Sequence, residues 1–213
     1  MGLKIGVLAL QGDFAEHSKA LVGVGAEPVE VRTPEQLDGC AGLILPGGES
    51  TAMSLLIRSA GLEQPMRELI EAGLPVFGTC AGMILLASRI SDGREDQLSL
   101  GAIDISVRRN GFGRQIRSFE SDLSVRGVDG PAVRAVFIRA PVVEEVFGDA
   151  EVLASVEYTF DGKGSLRVPV VCAQGSILVT SFHPELTDDL RIHEMFMLMI
   201  ERSNWLGSHV WSL

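Results

Sequence analysis

Leu74-Pro75-Val76-Phe77-Gly78-Thr79-Cys80-Ala81-Gly82-Met83-Ile84-Leu85-Leu86-Ala87 changes character at its cysteine. Pro75 to Phe77 is a brief apolar run, as in a strand covered on both faces. Ala81 to Ala87 is helix-forming and almost wholly apolar, which predicts a buried helix. Gly78 and Gly82 flank Cys80 in the order G-x-C-x-G, the thiol form of a strand-to-helix nucleophile elbow. Glycine at both flanks removes side chains that would crowd the neighbouring strand or helix. At a helix N-terminus the unpaired N–H groups and the macrodipole favour thiolate over thiol. The N–H of Ala81 would face an oxygen that turns negative during attack. The plainer reading is a small buried core residue, the usual fate of a cysteine. A nucleophile needs a base, so the rest of the chain decides between the two.

Upstream, apolar runs and helical stretches alternate. Lys4 to Leu10 reads as a strand ended by Gln11-Gly12-Asp13, with Asp13 a natural N-cap for a helix from Phe14 to about Val22. Pro28 to Val31 and Gly42 to Leu45 read as further strands, with Thr33-Pro34-Glu35 opening a short helix or turn between them. Helices are expected over Thr51 to Ser59 and over Gln64 to Ala72, the latter ended by Gly73. This order predicts an α/β fold, a doubly wound, mostly parallel sheet with helices on both faces. Ligands of such sheets sit at the carboxyl ends of strands. Both Pro46-Gly47-Gly48 and Gly78-Thr79-Cys80 lie at such ends. Adjacent glycines let a backbone N–H turn toward a neighbouring site, so Gly47-Gly48 together with Ala81 would make a two-donor oxyanion hole. Taken alone, Gly-Gly is equally an ordinary turn.

Downstream, Gly101 to Val107 and Val133 to Ile138 read as strands, and the arginine-rich stretch from Arg108 to Ser121 as loop or irregular strand. Val152 to Tyr158 alternates like an antiparallel strand. Asp161-Gly162-Lys163-Gly164 is a turn. Val168 to Ala173 and Ser176 to Phe182 form a hairpin around Gln174-Gly175. A helix from about Asp189 to Ser203 carries Ile192, Met195, Phe196, Met199 and Ile200 on one face. The hairpin's second strand runs into His183-Pro184-Glu185. In an extended segment, positions i and i+2 share a side, and Pro184 would keep this one extended. Imidazole and carboxylate would then project together, the carboxylate holding the tautomer and stabilising the imidazolium. A surface histidine beside an unrelated glutamate is the plain alternative. His17 and His193, within predicted helices, and His209, in the tail, lack this setting.

Composition narrows the function. The 213 residues suit one large α/β domain spanning 1–213. Hydrophobic residues make up 46% and charged ones 22%, an ordinary globular balance. The formal net charge of −10 argues against a nucleic-acid partner held through phosphates. The local cluster Arg108, Arg109, Arg114 and Arg117 runs against that trend and reads equally as a solvated loop. Three widely spaced cysteines, Cys40, Cys80 and Cys172, fit a reducing cytoplasm better than a disulfide framework, and no C-x-x-C pair points to zinc. A strand begins almost at the first residue, so no signal peptide is expected. No apolar run is long enough to span a bilayer. No metal or cofactor is expected.

Three separated blocks carry a resemblance: Pro46-Gly47-Gly48-Glu49-Ser50-Thr51, Phe77-Gly78-Thr79-Cys80-Ala81-Gly82 and Ser181-Phe182-His183-Pro184-Glu185-Leu186. They resemble the class I (triad-type) glutamine amidotransferase family, whose fold is flavodoxin-like with a smaller antiparallel extension. Gly6 to Gly12, Arg109 to Gln115, Phe137 to Pro141 and His183 to Thr187 look most like the glutaminase subunits of pyridoxal 5′-phosphate synthases. The resemblance covers nearly the whole chain. It implies that Cys80 attacks the carboxamide of L-glutamine, that His183 is base and then acid, and that Glu185 orients it. A glutamyl thioester on Cys80 would follow, hydrolysed to glutamate. Gly48, Glu49, Ser50, Arg109, Ile138 and Arg139 are the implied glutamine contacts; an arginine suits an α-carboxylate, but the residues do not say which arginine makes that contact. The implied partner is a (β/α)8-barrel pyridoxal 5′-phosphate synthase subunit that receives the ammonia and activates the glutaminase on docking. The segment from Tyr158 to Val170 looks longer than a compact hairpin of that subunit, and the tail after Trp205 matches nothing in it. Three other readings compete: the glutaminase of another amidotransferase such as imidazole glycerol phosphate synthase, a free-standing cysteine hydrolase or chaperone-like relative, and a non-catalytic binding module. The Arg109 and Phe137 blocks argue against the first, and an intact Cys80, His183 and Glu185 against the last.

Overall fold

The computed structural model describes residues 2–94, 96–109, 111–112, 118–160 and 164–203. In chain order the elements are β1 (Lys4–Leu8), α1 (Phe14–Gly23), β2 (Glu27–Val31), β3 (Gly42–Leu45), α2 (Ser50–Ser59), α3 (Glu63–Glu71), β4 (Val76–Thr79), α4 (Ala81–Leu86), β5 (Ala87–Ile90), β6 (Ile103–Arg108), β7 (Ser118–Leu123), β8 (Val133–Ile138), β9 (Val142–Val146), β10 (Glu151–Phe160), β11 (Gly164–Gln174), β12 (Ile177–Thr180) and α5 (Arg191–Arg202). Short 3-10 turns cover Pro34–Leu37 and Pro184–Leu186.

The main sheet has seven strands in the order β10-β11-β12-β4-β3-β1-β2. Strands β2, β1, β3, β4 and β12 run parallel, whereas β10 and β11 are antiparallel additions at one edge. The parallel strands are almost continuously apolar because both faces are covered. Leu8, Leu43, Leu45, Val76 and Val179 pack on one side with Met53, Ile57, Met66 and Leu85 from α2, α3 and α4. Ile5, Val7, Ile44, Phe77 and Leu178 pack on the other with Leu21 of α1 and Ile192, Phe196 and Ile200 of α5. The doubly wound, mostly parallel sheet expected from the residues is therefore the one observed.

The chain reverses direction across the sheet between β1 and β3, the position where such folds open a crevice beyond the strand ends. The loops after β1, β3, β4 and β12 all emerge at this end, and with them come Asp13, Gly47, Cys80 and His183.

The middle of the chain differs from expectation. Strands β5, β6 and β9 form a small second sheet, and β7 pairs antiparallel with β8. β5 directly follows α4 with no polar break, so its pattern merges with that of the buried helix. β9 carries two consecutive exposed residues, Glu144 and Glu145, which breaks its alternation. β7 begins inside the stretch expected to be irregular; Asn110 and residues 113–117 of that stretch lie outside the described residues. The segment after Tyr158 belongs to two long antiparallel strands, with Phe160 opposite Gly164; residues 161–163, where a turn is expected, lie outside the described residues. The tail after Trp205, including His209, is outside them as well.

Candidate active site

Cys80 stands between β4 and α4 with φ 49°, in the left-handed region that few side chains occupy. Its N–H donates to Thr180 O of the neighbouring strand at 2.8 Å, which fastens the turn to the sheet. The approach of helix to strand leaves no room for side chains on either side. A Cβ on Gly82 would overlap the Leu45 carbonyl, and one on Gly78 would meet the Gly82 backbone. Cys80 is 5% exposed, and its sulfur lies 3.7 Å from the Ile138 carbonyl oxygen. Cys40 and Cys172 are core residues; burial pushes their thiols up to about 11 and about 12. They follow the plain reading of a cysteine, and Cys80 departs from it.

His183 follows β12, its N–H bonded to Val136 O of β8 at 2.9 Å. The segment is not extended as expected. Pro184–Leu186 turns into a 3-10 helix, since proline at its first position already holds a helical φ. The two side chains still meet: His183 Nδ1 lies 2.8 Å from Glu185 Oε1, both buried. The nitrogen left for Cys80 is Nε2. Burial works against a charged imidazole, but the hydrogen bonds and charges of Cys80 and Glu185 outweigh it and push His183 up to about 10. Burial likewise pushes Glu185 up, opposed by His183. The direction that prevails for the pair is imidazolium against carboxylate, because each partner relieves the other's desolvation.

The loop after β3 closes over this pair. A Cβ on Gly47 would overlap the imidazole at Cε1, so only glycine lets the loop lie on the ring. The Gly47 carbonyl accepts from the Asp13 N–H at 3.3 Å, and Gln11 Oε1 accepts from the Glu49 N–H at 2.9 Å. Gly48 has φ 154° and Gln11 packed where a Cβ would be. Glu49 caps α2, its carboxylate accepting from the N–H groups of Thr51 at 3.0 Å and Ala52 at 2.7 Å. Burial raises its pKa, but those bonds and the charge of Arg109 win and hold it below the usual value. Ser50 is buried behind it, with its carbonyl accepting from Gln97 and Ser54.

Arg109 is half-buried and ties the α2 terminus to the neighbouring loop. It donates through Nη1 to Thr51 Oγ1 at 2.9 Å and through Nη2 to Asp92 O at 3.1 Å. Its Nε is buried without a hydrogen bond among the described residues. Arg139 is exposed at the end of β8 and takes φ 46°. Of the basic cluster, Arg108 pairs with Glu144 and Arg109 is bonded as described, so neither forms a free cationic patch. Arg114 and Arg117 lie outside the described residues.

Three residues given no part in the site on sequence grounds lie at or beside it. Asp13 precedes α1 as expected, but its side chain makes no capping bond; Oδ2 lies 3.5 Å from His183 Nδ1. His17, one turn further on, is fully buried, with Nε2 3.1 Å from Thr79 Oγ1 and 3.4 Å from Glu185 Oε2. His193 of α5 completes the row, its Nε2 3.0 Å from His17 Nδ1. The available signal was a histidine on the core-facing stripe of each helix, next to Ala20 and Leu21 in α1 and Ile192 and Phe196 in α5.

Comparison with known proteins agrees with this geometry. Residues 7–202 match the family model described as the SNO glutamine amidotransferase family. The chain is 54% identical over 202 residues to a protein of Frankia alni named pyridoxal 5′-phosphate synthase subunit PdxT, covering 95% of this chain and 97% of that one. It is 56% identical over 196 residues to the PdxT subunit of Mycobacteroides abscessus, covering 92% and 96%. A solved structure titled as a glutamine amidotransferase superposes with a TM-score of 0.83 at 47% identity, covering 92% of this chain and 98% of that one. The chain belongs to the SNO glutamine amidotransferase family.

Proposed function

We propose that the chain, as one amidotransferase domain, is the glutaminase subunit of a pyridoxal 5′-phosphate synthase. It hydrolyses L-glutamine to L-glutamate and ammonia, and a (β/α)8-barrel synthase subunit receives the ammonia. The observation that carries this reading is Cys80 held in a left-handed turn against the buried His183–Glu185 pair, in a chain of this family.

The proton accounting follows from that arrangement. Cys80 sulfur, as thiolate, adds to the glutamine carboxamide carbon. The oxygen becomes negative facing the Ala81 N–H, with the Gly47-Gly48 backbone as the second donor. His183 Nε2 gives its proton to the departing nitrogen, the C–N bond breaks, and a glutamyl thioester with ammonia remains. Water then adds to the thioester while the neutral imidazole takes its proton; the C–S bond breaks, glutamate leaves, and the thiolate–imidazolium pair is restored. Glu185 keeps the Nδ1 proton in place throughout. Gly48, Glu49, Ser50, Arg109, Ile138 and Arg139 surround the substrate in this reading. Arg109 Nε makes no hydrogen bond among the described residues and lies 3.8 Å from Asp92 Oδ1, a contact long enough to be exchanged for a substrate carboxylate. Among the described residues no helix is long and apolar enough to cross a membrane.

Glutamate release is measured with the protein alone and with the synthase subunit from the same source. Weak release alone that rises sharply with the subunit is the expected result. Strong release indifferent to the subunit would leave a free-standing hydrolase in its place.

A further inference from the structure

Glu185 uses only one of its oxygens on His183. The other, Oε2, is fully buried and has no well-formed hydrogen bond among the described residues. A buried carboxylate oxygen without a donor is costly, so its surroundings must supply one. The group beside it is His17 Nε2 at 3.4 Å. Hydrogen bonds at such sites are often long before substrate binds and tighten afterwards.

The row of three groups selects the tautomers. His17 Nδ1 and His193 Nε2 are 3.0 Å apart, so one must donate and the other accept. If His17 donated through Nδ1, its Nε2 lone pair would face the Glu185 carboxylate, and His193 would bury an unpaired N–H at Nδ1. The reverse arrangement avoids both. His193 Nε2–H donates to His17 Nδ1, and His17 Nε2–H is shared between Thr79 Oγ1 and Glu185 Oε2. The atom left over is His193 Nδ1 as a bare lone pair, which matches its lack of any partner among the described residues. Burial lowers both histidines, His193 to about 4, with the charges of His193 and His183 adding to the effect at His17.

We propose that His17 is a positioning residue for Glu185, donating through Nε2 to the oxygen that His183 leaves free and held in that tautomer by His193. The polar contacts of His17 run to Thr79, Glu185 and His193. It acts by fixing the carboxylate and keeping it ionised, so that His183 retains its Nδ1 proton. The ionisable groups facing this row are His183 and Glu185 from the segment after β12, His193 from α5 and Asp13 from the start of α1.

This inference rests on the glutaminase reading, and the experiment separates the two. Glutamate release is followed with the synthase subunit present for the unmodified protein, His17→Leu and His17→Gln, with thermal unfolding of each. Gln can place an amide N–H near the position of Nε2, and Leu cannot. Expected for His17→Leu is a fall in kcat of about 10-fold or more, a KM for glutamine within about threefold of the original, and an acid limb of the pH profile moved upward. His17→Gln should recover most of kcat. If both variants keep the original kcat and pH profile while the unmodified protein is active, the positioning role is wrong and the glutaminase reading stands. If kcat simply tracks the loss of melting temperature in both, His17 is only structural. An unmodified protein inactive with the synthase subunit overturns both. Nitrogen NMR of the unmodified protein provides an arm independent of mutation: His17 should carry its proton on Nε2, and a proton on Nδ1 overturns the proposal.

Discussion

At the scale of single residues, the site depends on atoms that have no substitute nearby. Cys40 and Cys172 are buried in the core with thiols pushed up to about 11 and about 12. Cys80→Ala should therefore abolish glutamate release while leaving the melting temperature nearly unchanged; residual release at the original rate would rule out the thioester. Glu185→Gln keeps the shape but removes the charge that holds the His183 proton. Turnover should drop by roughly two to four orders of magnitude with glutamine binding retained, and calorimetric titration beside steady-state kinetics would separate the two effects. Gly47→Ala tests the loop on the imidazole. The added methyl must displace the ring, and a displacement near 1 Å costs about 10²-fold in kcat. A fully active Gly47→Ala protein would show that the loop can retreat without disturbing His183.

Among elements, α4 is the most constrained. It has only six residues, all buried, and starts at a residue with positive φ. Propensity alone would not hold so short a helix; its packing against β3 and β4 does. Gly82→Ala forces the new methyl against the Leu45 backbone rather than a yielding side chain. Denaturant unfolding should show a loss of several kcal/mol, about the scale of a disrupted core site, and a loss below about 1 kcal/mol would mean the helix shifts freely. The 3-10 turn at Pro184–Leu186 shows where local reading erred. An extended segment and a helical turn can each bring side chains two apart to one partner. Proline allows either form; the turn is closed by Leu186 N–H bonding back to His183 O at 3.3 Å, and packing against β8, which local pattern does not show, holds it.

For the molecule as a whole, buried histidines make stability depend on pH from both sides. Burial lowers His193 to about 4 and lowers His17 in the same direction, so the unfolded chain binds more protons than the fold as pH falls below about 6.5. Their contribution is present above about 6.5 and is lost as pH falls toward 4, on the order of 3 kcal/mol for His193 alone. His183 has the opposite sign. It is raised to about 10, so its contribution is full below about 6.5, declines as pH rises from there, and is gone above about 10. Melting temperature should fall clearly between pH 6.5 and pH 4.5. A flat profile over that interval would mean the two histidines are not buried neutral.

Local pattern alone determined the α/β alternation, because period-two and period-3.6 apolar spacing is written into consecutive residues. It also marked Cys80, since G-x-C-x-G is a steric requirement of the turn itself, and it placed His183 and Glu185 at a strand end. The strands β5, β7 and β9 were not legible, because their identity comes from partners outside the main sheet rather than from their own alternation. Nor were His17 and His193. A histidine on an apolar helix face has the same local appearance whether it fills the core or faces a carboxylate. Only the packing of α1 and α5 against the sheet put those rings, 176 residues apart in sequence, beside each other and His17 beside Glu185.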